Sequence, residues 1–445
     1  MPDLQCATLR VPLDWARPDG ARISVAVDRI PASDRAHRIG SLLFNPGGPG
    51  GPGAATVAAK NGIFAIPRLK PLTQRYDIIG FDPRGVGAST PIRCGTLHDP
   101  KVTTFPRTTA QYARLVRLNR AAGAACRAKT GPLIDHVDTV SATRDVDAIR
   151  VALGERKISW LGVSYGSEFG QTYARLFPGR VRRMVIDGIV DHQRSVKRDA
   201  VDEARSIEQG FGHFAGWCAR TTSCALHSTG VRTVFARLVN RHGGVPASKY
   251  HRNATAEEIT NGTYGQMYFP ASWPDLAKAL AAARGDAAHK PDASALLANA
   301  SFADPTYYAA YRTISCHDFP GRVRGLADLR QRERAVRRAA PTMWRYSEFW
   351  DMTSGCLGWP VRAQNPPGPS RVAGAPPILV VGNTSDPATP YVWARAVHRQ
   401  IPGSRLLTYD GDGHTALLNS GCAEEREAAY LTTGALPPRG ATCRS

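Results

Sequence analysis

Residues 158–170 read Ile158-Ser159-Trp160-Leu161-Gly162-Val163-Ser164-Tyr165-Gly166-Ser167-Glu168-Phe169-Gly170. The apolar run up to Val163 reads as a buried strand, and the stretch from Tyr165 to Ala174 is compatible with a helix. Between them, Gly162-Val163-Ser164-Tyr165-Gly166 makes a sharp strand-to-helix turn, the local pattern of a nucleophile elbow. Such a turn forces Ser164 into a strained backbone conformation and lifts its hydroxyl above the edge of the sheet. Gly162 and Gly166 are small, which lets strand and helix approach closely.

Working outward, strand signals precede and follow this turn. Ala7 to Val11 and Arg22 to Ile30 read as strands around the turn-rich segment Asp14 to Gly20. Ser41 to Phe44 and Tyr76 to Phe81 are short buried strands, each closed by a Gly/Pro-rich loop. A helix is expected over Ala142 to Leu153, and a further strand over Val181 to Asp187. From about Ile189 to about Arg345 the short apolar runs vanish, and helical periodicity appears around Asp202–Cys218, Val231–Asn240, Pro274–Arg284 and Ala327–Ala339. Strands return at Pro377–Gly382 and Ser404–Tyr409, after a Pro/Gly-rich loop over 364–377. Strands alternating with helices imply a mostly parallel sheet covered on both faces. The expected architecture is therefore α/β, with eight strands and a helical cap inserted after the sixth. The corresponding parts are 1–188 for the first part of the core, 189–345 for the cap, and 346–445 for the rest of the core.

A serine nucleophile needs a base and a residue to orient that base. In α/β-hydrolases these arrive in the order Ser, Asp, His, each on a loop after a strand. The strand Ile378–Val381 runs into Gly382-Asn383-Thr384-Ser385-Asp386-Pro387, and Arg405–Tyr409 runs into Asp410-Gly411-Asp412-Gly413-His414. Both candidates sit at C-terminal strand ends, where open α/β sheets place their sites. Ser164, Asp386 and His414 form the expected triad, with Asp386 accepting from one ring nitrogen of His414 and the other nitrogen facing Ser164. Asp386 could instead cap a helix starting near Thr389. Asp410 and Asp412 flank His414, but such near neighbours seldom point at the ring edge. His136, His192, His227 and His398 lack a preceding strand end.

The loop Asn45-Pro46-Gly47-Gly48-Pro49-Gly50-Gly51-Pro52-Gly53 suits the second need of acyl transfer, backbone N–H groups for an oxyanion. One donor is expected from Tyr165, the residue after the nucleophile, and the other from Gly48. A phosphate-binding loop is the competing reading. It is weak, because no Gly-Lys-Ser/Thr follows and three prolines remove N–H donors.

Composition narrows the class. With 445 residues, 42% hydrophobic and 21% charged, the chain has the profile of a globular protein. No apolar run approaches the roughly 18 residues of a membrane span. The net charge is +20, yet basic residues are scattered, and the densest stretch, Arg330 to Arg338, reads as a solvated helix face. No nucleic-acid motif accompanies the charge, so no nucleic-acid partner is expected. Nine cysteines without a Cys-x-x-Cys pair or a nearby His cluster argue against zinc. No metal and no cofactor are expected. Disulfides formed in an oxidising compartment explain the cysteines better. Cys218 with Cys224 and Cys422 with Cys443 are suggested by nearness, Cys94 with Cys126 and Cys316 with Cys356 by order, and Cys6 is left over; spacing does not fix the connectivity. The start of the chain carries no signal-peptide pattern. The expectation is a secreted or cell-surface protein whose leader has been trimmed.

Taken together, these stretches resemble a known family. Asn45-Pro46-Gly47-Gly48-Pro49-Gly50-Gly51 looks like the oxyanion loop of prolyl-aminopeptidase-like serine peptidases, and Asp82-Pro83-Arg84-Gly85-Val86-Gly87-Ala88-Ser89 is similar to that group's Asp-x-Arg-Gly-x-Gly-x-Ser. The elbow and Val185-Ile186-Asp187-Gly188 fit as well. Cysteines near Trp217 and Trp359, with Asp386-Pro387-Ala388-Thr389-Pro390, resemble the bacterial secreted tripeptidyl aminopeptidase branch. The resemblance implies the α/β-hydrolase fold and an exopeptidase that releases tripeptides, other short peptides or amino acids from free N-termini through an acyl-enzyme. A substrate ammonium entering a partly dry cleft would need a counter-charge. Glu203 and Glu208 are the candidates for it, with Glu168 third. A carboxylesterase or secondary-metabolite hydrolase with the same triad, and a non-catalytic binding protein on the same scaffold, are the alternative readings.

Overall fold

A computed structural model of the chain describes residues 4–368 and 371–444. The segments whose side chains alternate between two apolar layers build one central sheet. Its strands in chain order are β1 (Gln5–Pro12), β2 (Arg22–Ile30), β3 (Gly40–Asn45), β4 (Tyr76–Phe81), β5 (Ile158–Val163) and β6 (Val181–Asp187). After a helical block holding a small hairpin, β7 (Val245–Ala247) with β8 (Arg252–Ala254), come β9 (Ile378–Ser385), β10 (Arg405–Asp412) and β11 (Thr442–Arg444). The spatial order in the main sheet is β1-β2-β4-β3-β5-β6-β9-β10-β11. β1–β2 and β2–β4 pair antiparallel, and every pair from β4 onward is parallel. This is the expected α/β-hydrolase fold.

The strand count differs from expectation. Among the described residues the main sheet has nine strands, not eight, because Thr442–Arg444 adds to the edge beside β10. Three residues in a Gly/Pro-flanked tail carry no periodicity to read. What seats them is tertiary: Cys443 is bonded to Cys422 on the helix Gly421–Thr433. The hairpin β7–β8 was likewise invisible to strand patterning, being short and half-polar.

The central strands are buried on both faces. Along β9, Ile378 and Val380 pack into the apolar layer that also holds Trp160 and Phe169, whereas Leu379 and Val381 pack into the opposite layer with Leu161 and Val163. This is the period-2 alternation of a strand sandwiched between helices. A third apolar cluster lies inside the helical block, around Phe211, Phe214, Phe235 and Leu276. In the helix Leu326–Ala339, Arg332 and Glu333 are buried rather than solvated, and Arg332 donates to the carbonyls of Gly321 and Arg322.

Cysteines pair as Cys94–Cys126, Cys218–Cys224, Cys316–Cys356 and Cys422–Cys443, and Cys6 is free and exposed. Cys316 lies on the helix Pro305–Asp318 and Cys356 follows the helix Glu348–Gly355. Both helices carry side chains that reach the site described next. No helix among the described residues is long and apolar enough to cross a membrane.

Candidate active site

β5 delivers Ser164 at its C-terminal end. Ser164 has φ 58° and ψ −128°, a conformation costly for a residue with a Cβ. The turn holds because the helix Tyr165–Leu176 starts at once and the Ser164 N–H is taken by the carbonyl of Asp187 at 2.8 Å. Gly162 is required here: a Cβ on it would lie 2.2 Å from the carbonyl oxygen of Gly166. Ser164 is half-buried.

Asp386 and His414 follow β9 and β10. His414 Nδ1 stands 2.9 Å and 3.0 Å from the two carboxylate oxygens of Asp386, which is fully buried. A carboxylate only accepts, so Nδ1 carries the proton and Nε2 is free to accept one. Asp386 also receives the N–H groups of Ala388, Thr389 and Thr415 and the hydroxyl of Thr389. It thus caps the following turn and orients His414 at once, so the two readings of this residue are compatible. Burial works to raise its pKa, but His414 and those amides outweigh it and hold the group below its ordinary value. Burial works to lower the His414 pKa; Asp386 first, then Glu348 and Asp187, turn the balance, and the ring sits above its ordinary value. Asp410 instead accepts from Thr384, and Asp412 pairs with His213.

Asp187, at the end of β6, ties the two halves together. Its carbonyl holds Ser164, and its carboxylate accepts the N–H groups of Ala416 and Leu417, at 3.1 and 2.7 Å, on the loop of His414. Burial, helped by repulsion from Asp386, pushes it up to about 6 against the pull of those amides. The next residue, Gly188, has φ 65°, and a Cβ there would stand 3.4 Å from His414 Cε1. The elbow and the His414 loop therefore meet at Gly188. Asn383 and Asn419 brace the same loop by donating to the carbonyls of Gly413 and of His414 and Thr415.

The Gly-rich loop after β3 lies against the elbow. A Cβ on Gly47, whose φ is 86°, would come within 2.9 Å of Ser164 Cβ and of the Tyr165 nitrogen. Gly47 N–H is spent on Asn45 Oδ1, whereas the N–H groups of Gly48 and Tyr165 have no acceptor among the described residues. Gly47, the residue before Gly48, is thus the one packed against the elbow that carries Tyr165.

The expected acidic anchors separate. Glu203, on the helix Val196–Arg220, is fully buried and accepts the first amides of the helix Glu348–Gly355, from Glu348 and Phe349, both at 2.9 Å. Glu208, further along the same helix, is occupied by the amides of Thr342 and Met343 and by Arg232. Glu168 is buried against Thr172 and His192, and burial pushes it up to about 7 against the pull of His192. A second carboxyl whose charge acts on His414, beyond that of Asp386, is Glu348, which sequence reasoning missed. Tyr268 Oη donates to Glu348 at 2.5 Å, the Tyr268 ring centre lies 4.7 Å from that of His414, and the Tyr268 carbonyl accepts the His414 N–H at 2.7 Å. Burial raises the pKa of both glutamates; repulsion from Glu348 adds to the rise at Glu203. Tyr264, Tyr307, Tyr311 and Tyr346 line the same region and feel the charge of Glu348. Glu348 sits in a short segment between Tyr346 and Trp350, with no periodicity to single it out.

Among the described residues no group of His, Cys, Asp and Glu has metal-binding arrangement.

Comparison with known proteins adds a separate line. Residues 341–443 match the family model described as TAP-like protein. The chain is 33% identical to a tripeptidyl aminopeptidase of Streptomyces coelicolor over 99% of its own length and 83% of the relative's. It is 34% identical to the serine protease Hip1 of Mycobacterium tuberculosis, covering 98% of this chain and 87% of that one. A carboxylesterase B of Mycobacterium tuberculosis is 32% identical over 99% of this chain and 86% of its own.

Proposed function

The chain belongs to the α/β-hydrolase family that holds these tripeptidyl aminopeptidases and Hip1, and from that premise we propose that it is a serine exopeptidase acting on peptides with a free N-terminus. The observation that supports the reading is the buried Asp386–His414 pair, together with the strained backbone of Ser164 at the end of β5 and the charge of Glu348 acting on the same imidazole. In this reading Ser164 Oγ attacks the scissile carbonyl carbon while His414 Nε2 takes its proton. The carbonyl π electrons move onto oxygen, held by the N–H groups of Gly48 and Tyr165. Collapse breaks the C–N bond as His414 returns the proton to the leaving amine. Water then repeats the sequence on the acyl-enzyme. Asp386 orients the ring and stabilises its charged form.

The substrate's ammonium is met by Glu348 with Glu203 behind it, among the rings of Tyr264, Tyr268, Tyr307 and Tyr311. An acidic, aromatic wall suits a cation by charge and by ring quadrupole. Glu208 is the weaker of the two original candidates, because its oxygens are spent inside the cap. We further assign 1–188 and 346–445 to the core and 189–345 to the cap. Four disulfides support a secreted or cell-surface site of action.

The second reading is an ester hydrolase, favoured by the likeness to carboxylesterase B. Matched aminoacyl, tripeptidyl and simple ester chromogenic substrates, free and N-acetylated, separate the two. Acetylation should depress kcat/KM by roughly 10- to 100-fold, as for loss of a charge-assisted contact. Glu348→Gln should produce most of that loss on free-amine substrates and spare neutral esters. Equal rates on free and acetylated peptides would overturn the aminopeptidase reading. A fluorophosphonate probe should label Ser164, and labelling elsewhere would remove it as nucleophile.

A further inference from the structure

The helix Pro305–Asp318 belongs to the cap, yet it runs along the oxyanion side of the site. Near its start, Tyr307 Oη would lie 3.2 Å from a Cβ on Gly48; in its middle, the Tyr311 nitrogen would lie 3.1 Å from a Cβ on Gly50. At its end, Asp318 reaches into the core and is fully buried. Its Oδ2 accepts from the hydroxyl of Tyr165 at 2.5 Å and from that of Thr139 at 2.5 Å. Its Oδ1 accepts from the amide of Thr139 at 3.2 Å and from Asn365 Nδ2 at 3.1 Å. The carboxylate is thus saturated with donors, which is what a buried charge requires.

Tyr165 is the residue whose main-chain N–H completes the oxyanion site. It stands at the first position of its helix, directly after the strained Ser164, so its amide has no helical partner to hold its direction. Its side chain is tied at the far end, by a group from another layer of the molecule. Asp318 is in turn held in place: its carbonyl accepts from His192 Nε2 at 2.9 Å, and the neighbouring Phe319 ring packs edge-on against both Tyr165 and His192. Two residues earlier, Cys316 is bonded to Cys356.

Resting on the reading of Ser164 as nucleophile, we propose that Asp318 is a positioning residue of the oxyanion hole: by gripping the Tyr165 hydroxyl it aims the Tyr165 amide, and so makes that half of the hole depend on the seating of the cap. A donor misaimed by a fraction of an ångström loses transition-state stabilisation while leaving ground-state binding nearly intact.

The test uses the full chain with Asp318→Asn, Tyr165→Phe and the double variant. Each single change should lower kcat by roughly 10- to 100-fold, a part of what loss of a whole oxyanion donor costs, with KM within about threefold. Affinity for a peptide aldehyde, which adds Ser164 Oγ to its carbonyl and places an oxyanion in the hole, should fall in proportion to kcat/KM. The double variant should be no worse than the worse single one, since both cut one link. Tyr165→Phe removes a single oxygen atom; if Asp318→Asn does not fold, Tyr165→Phe decides alone. Unchanged kcat in Tyr165→Phe, a rise in KM in place of a fall in kcat, aldehyde affinity that tracks KM, or multiplicative losses in the double variant would each overturn the proposal. The comparison is made on an amide and an ester substrate alike, so an error in substrate class leaves it standing. Failure of the probe to label Ser164 in the unchanged protein strikes the underlying reading instead.

Discussion

Asp386→Asn is the sharpest probe of the site, because the structure dictates how the amide must sit. Oδ1 of Asp386 lies at 2.8 Å from the N–H groups of both Ala388 and Thr389. Oδ2 faces the Thr389 hydroxyl at 2.8 Å and the Thr415 N–H at 3.1 Å. The asparagine oxygen must take the first position, since an NH2 there would meet two donors. The NH2 then occupies the second position, where the Thr389 hydroxyl can turn to accept. It also points at His414 Nδ1, which lies 3.0 Å from that atom. An amide N–H there donates to Nδ1 and moves the ring proton to Nε2, the nitrogen that must accept from Ser164. Turnover should fall by on the order of 10⁴, as seen when this tautomer is imposed on a Ser-His-Asp triad. That factor corresponds to about 5.4 kcal/mol at 1.36 kcal/mol per decade. Folding stability should fall less, by about 1–3 kcal/mol, for the one unsatisfied N–H at Thr415. Steady-state kinetics on a chromogenic substrate and a denaturant melt measure the two effects. A loss of turnover below tenfold in a folded Asp386→Asn protein would refute the reasoning. So would a larger loss in Asp410→Asn or Asp412→Asn.

Three other outcomes follow from the same contacts. The base must be neutral, and Asp386, Glu348 and Asp187 together hold His414 above its ordinary 6.5 against burial, so the acid limb of kcat/KM should lie above pH 6.5 and move down in Glu348→Gln. Glu427 is fully buried with neither oxygen partnered, and burial followed by repulsion from Asp187 and Glu424 raises its pKa well above the ordinary value. The folded state therefore keeps a proton that the unfolded chain releases, and stability falls as pH rises above the ordinary carboxyl value. Glu427→Gln should raise the denaturant midpoint at pH 8 relative to the unchanged protein, with the gain fading toward pH 4; a gain independent of pH would contradict that linkage. Removing Cys316–Cys356, which closes a separation of 40 residues, should cost between about 3 and 5 kcal/mol on the chain-entropy account. Because it joins the helices that carry Asp318 and Glu348, Cys316→Ala with Cys356→Ala should also lower kcat/KM well before the protein unfolds; activity unaffected up to the melting transition would argue against that coupling.

What could be read from the chain alone is what local geometry encodes. An elbow needs small residues on either side of its serine, and Gly162, Ser164 and Gly166 supply them within five positions. Asp386 and His414 each follow a strand, and the end of a parallel strand is where such a sheet presents its side chains. The Gly-rich loop showed itself in the same way, through residues that only a tight backbone approach would require. Each of these is a property of a short segment, so the order along the chain was enough to propose them together.

The helices between β6 and β9 are different. Periodicity reveals that a helix has a buried face, not which other helix covers it, and carboxylates on such faces look alike in sequence. Glu203 and Glu208 lie five residues apart on one helix, yet one accepts the first amides of the helix Glu348–Gly355 and the other those of Thr342 and Met343. Glu348 and Asp318 were not singled out, because their helices carry little amphipathic signal and their partners, Tyr268, Glu203, Tyr165 and Thr139, come from segments far away along the chain. Their roles arise where burial is forced by packing and each buried charge must find donors, and only the tertiary structure decides which donors those are.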